Sequence, residues 1–283
     1  MRGGAQAHLI EADDGDFYVV KFSNNPQHRR VLVNDAIGSV LLHHLGVSAP
    51  EPVLVSVTSE FLHENPDVSL LGRHGRIPVQ PGQHFGSRYP GHPDRLAVFD
   101  LLPEVLLRSV DNIGQFLGVL VFDKWVANTD RRQAVFFRQP HGSGESRPGQ
   151  DTPLHALMID HGFIFNGPFW DFSAGPLHGL FPSAHAYGAV RSLFDFEPWL
   201  EKVGHFPEVV IAQLGTSIPA EWIGGDEPGL GRLLETLVRR RGRVPDLIED
   251  CVLAKPSAFP NWKQIRRSPS SCVPRIPHSP MVG

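Results

Sequence analysis

The stretch Phe122-Asp123-Lys124-Trp125-Val126-Ala127-Asn128-Thr129-Asp130-Arg131-Arg132-Gln133 carries the strongest local signal in this chain. Ahead of it, Ile113, Phe116, Leu117, Leu120, Val121 and Trp125 recur at three- and four-residue steps, which predicts one long apolar helix over Glu104 to Ala127. Behind it, Ala134 to Arg138 reads as a strand. An acid just past a buried helix and just before a strand is held at the lip of a cleft, where a substrate hydroxyl can be oriented, so Asp130 is the candidate base. The same residues also fit a helix-terminating turn in which Asn128 and Asp130 bond to nearby backbone.

Working downstream, a soft loop from Gln139 to Pro153 leads to a second strand-like run, Leu154 to Ile159, and then to Asp160-His161-Gly162-Phe163. An acid followed by glycine at a strand end lets the chain turn sharply while the carboxylate faces a cation. Magnesium takes one or two carboxylates together with phosphate oxygens and water, which Asp160 can supply. A plain Asp-x-Gly turn is the alternative.

Upstream, Ala7 to Glu11 and Phe17 to Phe22 flank Asp13-Asp14-Gly15-Asp16, a hairpin pattern. Lys21 lies among apolar β residues of the second run. If buried there, its ammonium needs an anion, either phosphate or Asp35 of the following helix; an exposed place on an edge strand is the other outcome. That helix is predicted over Pro26 to Leu45 with Gly46 as its C-cap. Before the hairpin, Gly3-Gly4-Ala5-Gln6 is a small-residue turn whose N–H groups can approach phosphates, although glycine is also the default residue of an ordinary turn. Pro52 to Val57 reads as a strand, residues 72 to 95 as irregular, with little periodicity beyond the short run Gly72 to Val79, and residues 187 to 252 as mainly helical, with one helix ending at Gly242 and another opening at Pro245. From about Pro256 onward, Pro, Ser and Arg dominate, the composition of a disordered tail.

With 283 residues, 41% of them hydrophobic, the chain can bury a substantial core as one large or two small units. A net charge of −4 supplies no general field for nucleic acid, and the arginines of Arg239-Arg240-Arg241-Gly242-Arg243 suit a helix C-terminus. Neither Cys251 nor Cys272 sits in a zinc-binding spacing, and the 15 histidines are scattered. No apolar run approaches the ~20 residues of a membrane span, and the N-terminus lacks a secretory pattern. A cytoplasmic location is expected.

The order glycine turn, strand lysine, helix acid, long helix, loop acid, hairpin and metal acid resembles that of a protein-kinase-like fold. The words Arg2-Gly3-Gly4-Ala5-Gln6-Ala7-His8, Phe17-Tyr18-Val19-Val20-Lys21-Phe22, Phe85-Gly86-Ser87-Arg88-Tyr89, Phe122-Asp123-Lys124-Trp125, Asn128-Thr129-Asp130 and Met158-Ile159-Asp160-His161-Gly162 resemble the HipA-like kinase family over roughly residues 2 to 250. The resemblance implies an α+β, two-lobed fold with a β-rich nucleotide-binding lobe over residues 1–100, a helical lobe over 101–253 and a tail over 254–283. It implies that Gly3, Gly4, Ala5 and Gln6 cover the phosphates of ATP, that Lys21 contacts the α- and β-phosphates, and that Asp35 pairs with Lys21. Asp130 would be the catalytic aspartate and Asp160 the Mg2+ aspartate, in transfer to a protein serine or threonine. Some members act in toxin–antitoxin pairs.

Three departures are visible. Ordinary kinases carry a metal-binding asparagine five residues after the catalytic aspartate; Val135 stands there, and Gln133 is the nearest amide and the candidate second ligand. Asp35 replaces the usual glutamate, one methylene shorter, which predicts a looser or water-bridged pair. The chain also starts at the phosphate turn, without the strand that precedes it in kinases; a start at an internal methionine of a longer frame is the favoured expectation, and a missing first strand with poorly held nucleotide is the other. A catalytically weak pseudokinase that binds nucleotide or a partner is the competing expectation.

Overall fold

The computed structural model describes residues 6–138 and 152–263. The predicted hairpin forms as β1 (His8–Glu11) and β2 (Phe17–Lys21), closed through Gly15 in the left-handed region at φ 79°. The predicted first helix is α1 (Arg30–Leu45), ended by Gly46 at φ 72°, whose N–H bonds back to His43 and Leu42 carbonyls. β3 (Pro52–Val57) is followed by the short helix α2 (Ser59–Glu64), capped by the Thr58 hydroxyl.

Residues 72 to 95 are not irregular, which corrects the sequence expectation. β4 (Ser69–Gly72) and β5 (Gly75–Pro78) form a small hairpin, and β6 (Gly82–Arg88) is an interior strand of the antiparallel sheet β1-β2-β6-β3. Gly86 explains why β6 lacks the usual β-branched signature. A Cβ there would lie 2.5 Å from the Val55 side chain, so the strand admits no side chain at that point.

The single long helix over Glu104 to Ala127 is also corrected. Glu104–Ser109 forms a 3₁₀ turn, the chain then extends, and α3 begins only at Gln115 and runs to Trp125. Val110 bridges Leu154, and the Asp111 N–H bonds the Leu154 carbonyl at 2.9 Å, so strand-type pairing interrupts the helical periodicity. β7 (Val98–Phe99), β8 (Gln133–Arg138) and β9 (Leu154–Ile159) complete a second antiparallel sheet.

Residues 160–198 run through turns and short 3₁₀ pieces, and five helices follow among the described residues: α4 (Trp199–Gly204), α5 (Glu208–Ser217), α6 (Ala220–Ile223), α7 (Glu227–Arg240) and α8 (Val244–Ala254). Pro245 opens α8 as predicted, whereas α7 starts three residues before Leu230, where the Asp226 carboxylate caps the Gly229 N–H. The main core joins α1 and α3 to these helices, and a smaller one lies under the first sheet around Tyr18, Val20, Phe22 and Leu70. The expectation of disorder from Pro256 is corrected at its start, where a 3₁₀ turn (Pro256–Ala258) leads to two buried residues, Ala258 and Phe259: Phe259 is 2% exposed and its ring contacts Tyr187 and Trp262. Residues 264–283 of the expected tail lie outside the described residues.

Candidate functional site

α1 packs against β3 and β6 of the first sheet and against α3, α4 and α6 of the helical part. An element surrounded this way is apolar on nearly every side, yet α1 buries three polar side chains, Asn34, Asp35 and Ser39. Buried polar groups need partners. Ser39 bonds the Asp35 carbonyl one turn back. Asn34 donates to the carbonyls of Gly162, Ile164 and Gly167 at 2.8, 3.1 and 3.0 Å and accepts from the Trp170 indole at 2.9 Å. It therefore fastens the segment after Asp160 onto α1.

Asp35 makes the second connection. Its Oδ2 accepts from Lys21 Nζ at 2.8 Å and its Oδ1 from the His161 N–H at 2.9 Å. Lys21, 9% exposed, also donates to Asp160 Oδ1 at 3.0 Å. Burial opposes the Lys21 ammonium, but Asp35 and Asp160 outweigh it and hold its pKa above the ordinary lysine value. Asp35 is raised, because its burial outweighs the help of Lys21. For Asp160 burial loses to Lys21 and Arg132, and the carboxyl stays below the usual range. The expectation of a loose or water-bridged Lys21–Asp35 pair is corrected: contact is direct.

Close approach makes this possible. A Cβ at Gly38 would lie 2.7 Å from the His161 Cβ, and a Cβ at Gly162 would lie 2.5 Å from Val31. Both glycines let α1 lie directly on the Asp160 turn, so a carboxylate shorter than glutamate reaches its donors. Asp160 itself sits in the left-handed region at φ 59°, a conformation that aspartate tolerates better than most residues.

Gln133, the first residue of β8, pairs in register with Ile159 and donates its amide to Asp160 Oδ2 at 3.1 Å. Asp130 accepts the Arg131 N–H at 2.7 Å, takes the Asn128 side chain on its own N–H at 3.0 Å, and its carbonyl receives the Gly179 N–H at 2.9 Å. Asp130 and Gln133 line one cleft of about 590 Å³. The Asp130 loop and the Asp160 turn are bound together by Thr129 N–H to the Phe163 carbonyl at 3.0 Å and Phe165 N–H to the Val126 carbonyl at 2.7 Å. Gln6 carries its side chain elsewhere, bonded to the Leu71 backbone of β4. Gly3, Gly4 and Ala5 lie outside the described residues.

Several positioning residues escaped the sequence reading. Arg132, 1% exposed, forms a two-pronged ion pair with Asp123 of α3, donates to the Ile159 carbonyl at 2.9 Å and reaches His161 Nδ1 at 3.1 Å. Guanidinium only donates, so Nδ1 is the unprotonated nitrogen and the His161 proton sits on Nε2, which is buried with no hydrogen-bond partner among the described residues. Burial, with Arg132 and Lys21 nearby, keeps the ring neutral. Asn128 donates to Asp123 at 2.9 Å, and the Arg240 guanidinium caps the Trp125 and Lys124 carbonyls at 2.9 and 3.0 Å, closing the C-terminus of α3 where the Asp130 loop begins. Arg240 is thus committed to internal carbonyls. A visible signal existed: Asp123 and Lys124 interrupt an otherwise apolar helix, and Arg132 follows nine residues later.

Among the described residues no group of three or more His, Cys, Asp or Glu side chains is placed to hold a metal unaided, and no helix is long and apolar enough to cross a membrane. The donor set fits a magnesium nucleotide better than a bare ion. Asp160 presents a carboxylate one-third exposed at its side chain, with an amide on one oxygen and an ammonium on the other, and phosphate oxygens would complete the coordination. No curated protein matches the chain. Residues 1–141 match the family model described as HipA-like kinase, a span that holds Lys21, Asp35, Asp130 and Gln133 and ends before Asp160, which the fold carries to Lys21; the chain belongs to the HipA-like kinase family.

Proposed function

We propose that this chain is an ATP-dependent phosphotransferase with a two-lobed, protein-kinase-like fold, acting on a serine or threonine hydroxyl of a protein. The observation that supports it best is the sharing of one buried ammonium, Lys21, between Asp35 and Asp160, which stand 125 residues apart in the chain (160 − 35). Such a cluster is a poor stability device, because well-packed apolar side chains in its place would serve as well or better. A site that must meet phosphate and a divalent cation has a reason to keep it.

In this proposal residues 1–100 hold the nucleotide and residues 101–253 carry the Asp130 loop. Gly3, Gly4, Ala5 and the backbone of Gln6 cover the phosphates, and Lys21 turns part of its charge from Asp160 to the α- and β-phosphates. Asp160 and Gln133 hold Mg2+, which when bound neutralises the phosphate oxygens during transfer. Asp130 orients the acceptor hydroxyl and receives its proton as the oxygen bonds to the γ-phosphorus and ADP leaves. Val135, half-buried on β8 where an ordinary kinase has its metal-binding asparagine, favours one alternative, a pseudokinase that binds nucleotide with little transfer.

The test is transfer of label from γ-labelled ATP with Mg2+, comparing the full chain with Asp130→Ala and Asp160→Asn. Loss of transfer in both supports the assignment, and transfer that survives in both overturns it. Nucleotide-induced thermal stabilisation without transfer in the unsubstituted chain identifies the pseudokinase.

A further inference from the structure

Four of the twelve large apolar side chains exposed among the described residues fall within one short stretch: Phe99, Leu101, Val105 and Leu106, with Leu101 82% and Val105 71% exposed. The stretch leaves the edge strand β7 and enters the 3₁₀ turn Glu104–Ser109. Apolar side chains gathered in this way and interspersed with charge mark a contact surface. This one opens into the cleft of the candidate base. Leu101 lines that cleft with Leu102 and Phe181, whereas Lys21, Asp35 and Asp160 lie outside its walls, so the cleft leads from Asp130 away from the buried lysine.

Charge indicates the occupant. Asp100 and Glu104 line the cleft beside Asp130; Glu104 accepts the Ser183 hydroxyl at 3.2 Å, and neither acid is in an ion pair among the described residues. Of the cations on the cleft, Arg132 is already matched by Asp123, which leaves Arg131 against three acids. A complementary ligand carries cations close to an apolar group. A nucleotide, anionic with or without magnesium, is a poor match for this end of the cleft. A cleft of about 590 Å³ is ~10 Å across, the length of about three residues of extended chain at ~3.3 Å each. A hydroxyl held at Asp130 therefore has its near neighbours in sequence within reach of Asp100 and Glu104.

We propose that the acceptor is a segment of another protein that carries arginine or lysine within about three residues of its serine or threonine and a large apolar residue beside them. Asp100 and Glu104 take the cations, and Leu101 with Val105 takes the apolar side chain. The role of acceptor rests on the phosphotransfer reading, whereas the docking itself requires no nucleotide.

The test uses the full chain and short fluorescent peptides with a central serine: one with a pair of arginines and a leucine close to the serine, one with glutamates in place of the arginines, and one with alanine in place of the leucine. In fluorescence anisotropy without ATP, the first should bind at least ~25-fold more tightly than the second, about fivefold for each exposed ion pair, and about tenfold more tightly than the third. Asp100→Lys with Glu104→Lys should reverse the order of the arginine and glutamate peptides, a gain that a misfolded chain cannot give. With γ-labelled ATP, the same double substitution should raise KM for the arginine peptide and leave KM for ATP where it was. Equal binding of the arginine and glutamate peptides, an order that survives the double substitution, or no loss on removing the leucine overturns the proposal. So does a shift confined to KM for ATP, which would give this cleft to the nucleotide. Reversed binding with no transfer of label to any acceptor sinks the phosphotransfer reading instead and leaves the docking standing.

Discussion

Lys21 and Asp35 form a buried ion pair at 2.8 Å, although aspartate is a methylene shorter than the glutamate ordinary kinases use, and the same ammonium reaches Asp160 at 3.0 Å. Removing Lys21 leaves the buried Asp35 carboxylate without its cation and near Asp160, which keeps only the more distant influence of Arg132. Lys21→Met should therefore cost about 3–5 kcal/mol of stability in denaturant unfolding. Adding Asp35→Asn removes the stranded charge and keeps an acceptor for the His161 N–H, so the double variant should recover to within about 2 kcal/mol of the parent. Phosphotransfer should fall at least ~100-fold in both, because stability returns without the phosphate contact. A double variant no more stable than Lys21→Met would show that the pair, not the stranded charge, sets the cost.

Gly38 tests how α1 is seated. A methyl there would meet the His161 Cβ at 2.7 Å, so Gly38→Ala must push α1 off the Asp160 turn or displace His161. Overpacking of this kind costs about 1–3 kcal/mol. Lengthening the acid in the same chain, Gly38→Ala with Asp35→Glu, should restore part of the transfer rate, since the longer side chain spans the wider gap. A Gly38→Ala chain with full activity and unchanged melting would remove close approach from the account.

Arg132 and Asp123 form a fully buried ion pair between α3 and the loop that carries Asp130. Arg132→Met leaves Asp123 buried without its cation, with an expected loss of about 3–5 kcal/mol. The same change frees His161 Nδ1 and the Ile159 carbonyl next to Asp160. A hydrogen-exchange map should show the opening concentrated in residues 126–134 and 159–166, where the two loops clasp, before the sheet β1-β2-β6-β3 is affected.

What could be read in advance follows from where information is local. The hairpin, α1 with its Gly46 cap, β3, and the opening of α8 at Pro245 depend on short-range residue chemistry, and they formed within a few residues of expectation. β6 and the break before α3 depend on partners distant in sequence. Gly86 is acceptable in a strand only because Val53 and Val55 crowd it, and Val110 leaves the helix to bridge Leu154. At the site, Lys21, Asp35 and Asp160 stand out by residue type and order and Gln133 through the kinase resemblance, and the four converge, so these contacts were legible in the sequence. Asn34 and Arg132 were not, because each bonds carbonyls whose proximity only the fold creates.

Acid titration isolates Asp160. Its folded pKa is depressed, so ionised Asp160 contributes stability above the unfolded value of about 3.9, and the contribution is lost as pH falls through the lower folded value. Asparagine tolerates the same left-handed backbone, so Asp160→Asn removes the charge without adding strain. The difference in unfolding free energy between parent and variant should stay level from about pH 8 to pH 5 and shrink below about pH 4. A difference that instead closes between pH 5 and 7 would mean that Asp160 is not held by Lys21.

Gln133 and Val135 decide how the second metal position is filled. Both point to the same side of β8, two residues apart, with Ala134 and Phe136 buried between and beyond them. Gln133 pairs with Ile159 and so stands beside Asp160, whereas Val135 pairs with Leu157, ~6.6 Å further along at ~3.3 Å per residue. An amide at 135 is therefore too far along the strand to share a cation with Asp160, while one at 133 is already on it at 3.1 Å. Gln133→Ala should raise the Mg2+ concentration for half-maximal transfer about tenfold. Val135→Asn, alone or added to Gln133→Ala, should leave that requirement unchanged. Rescue by asparagine at 135 would place the second ligand there and reduce the Gln133–Asp160 bond to a surface contact.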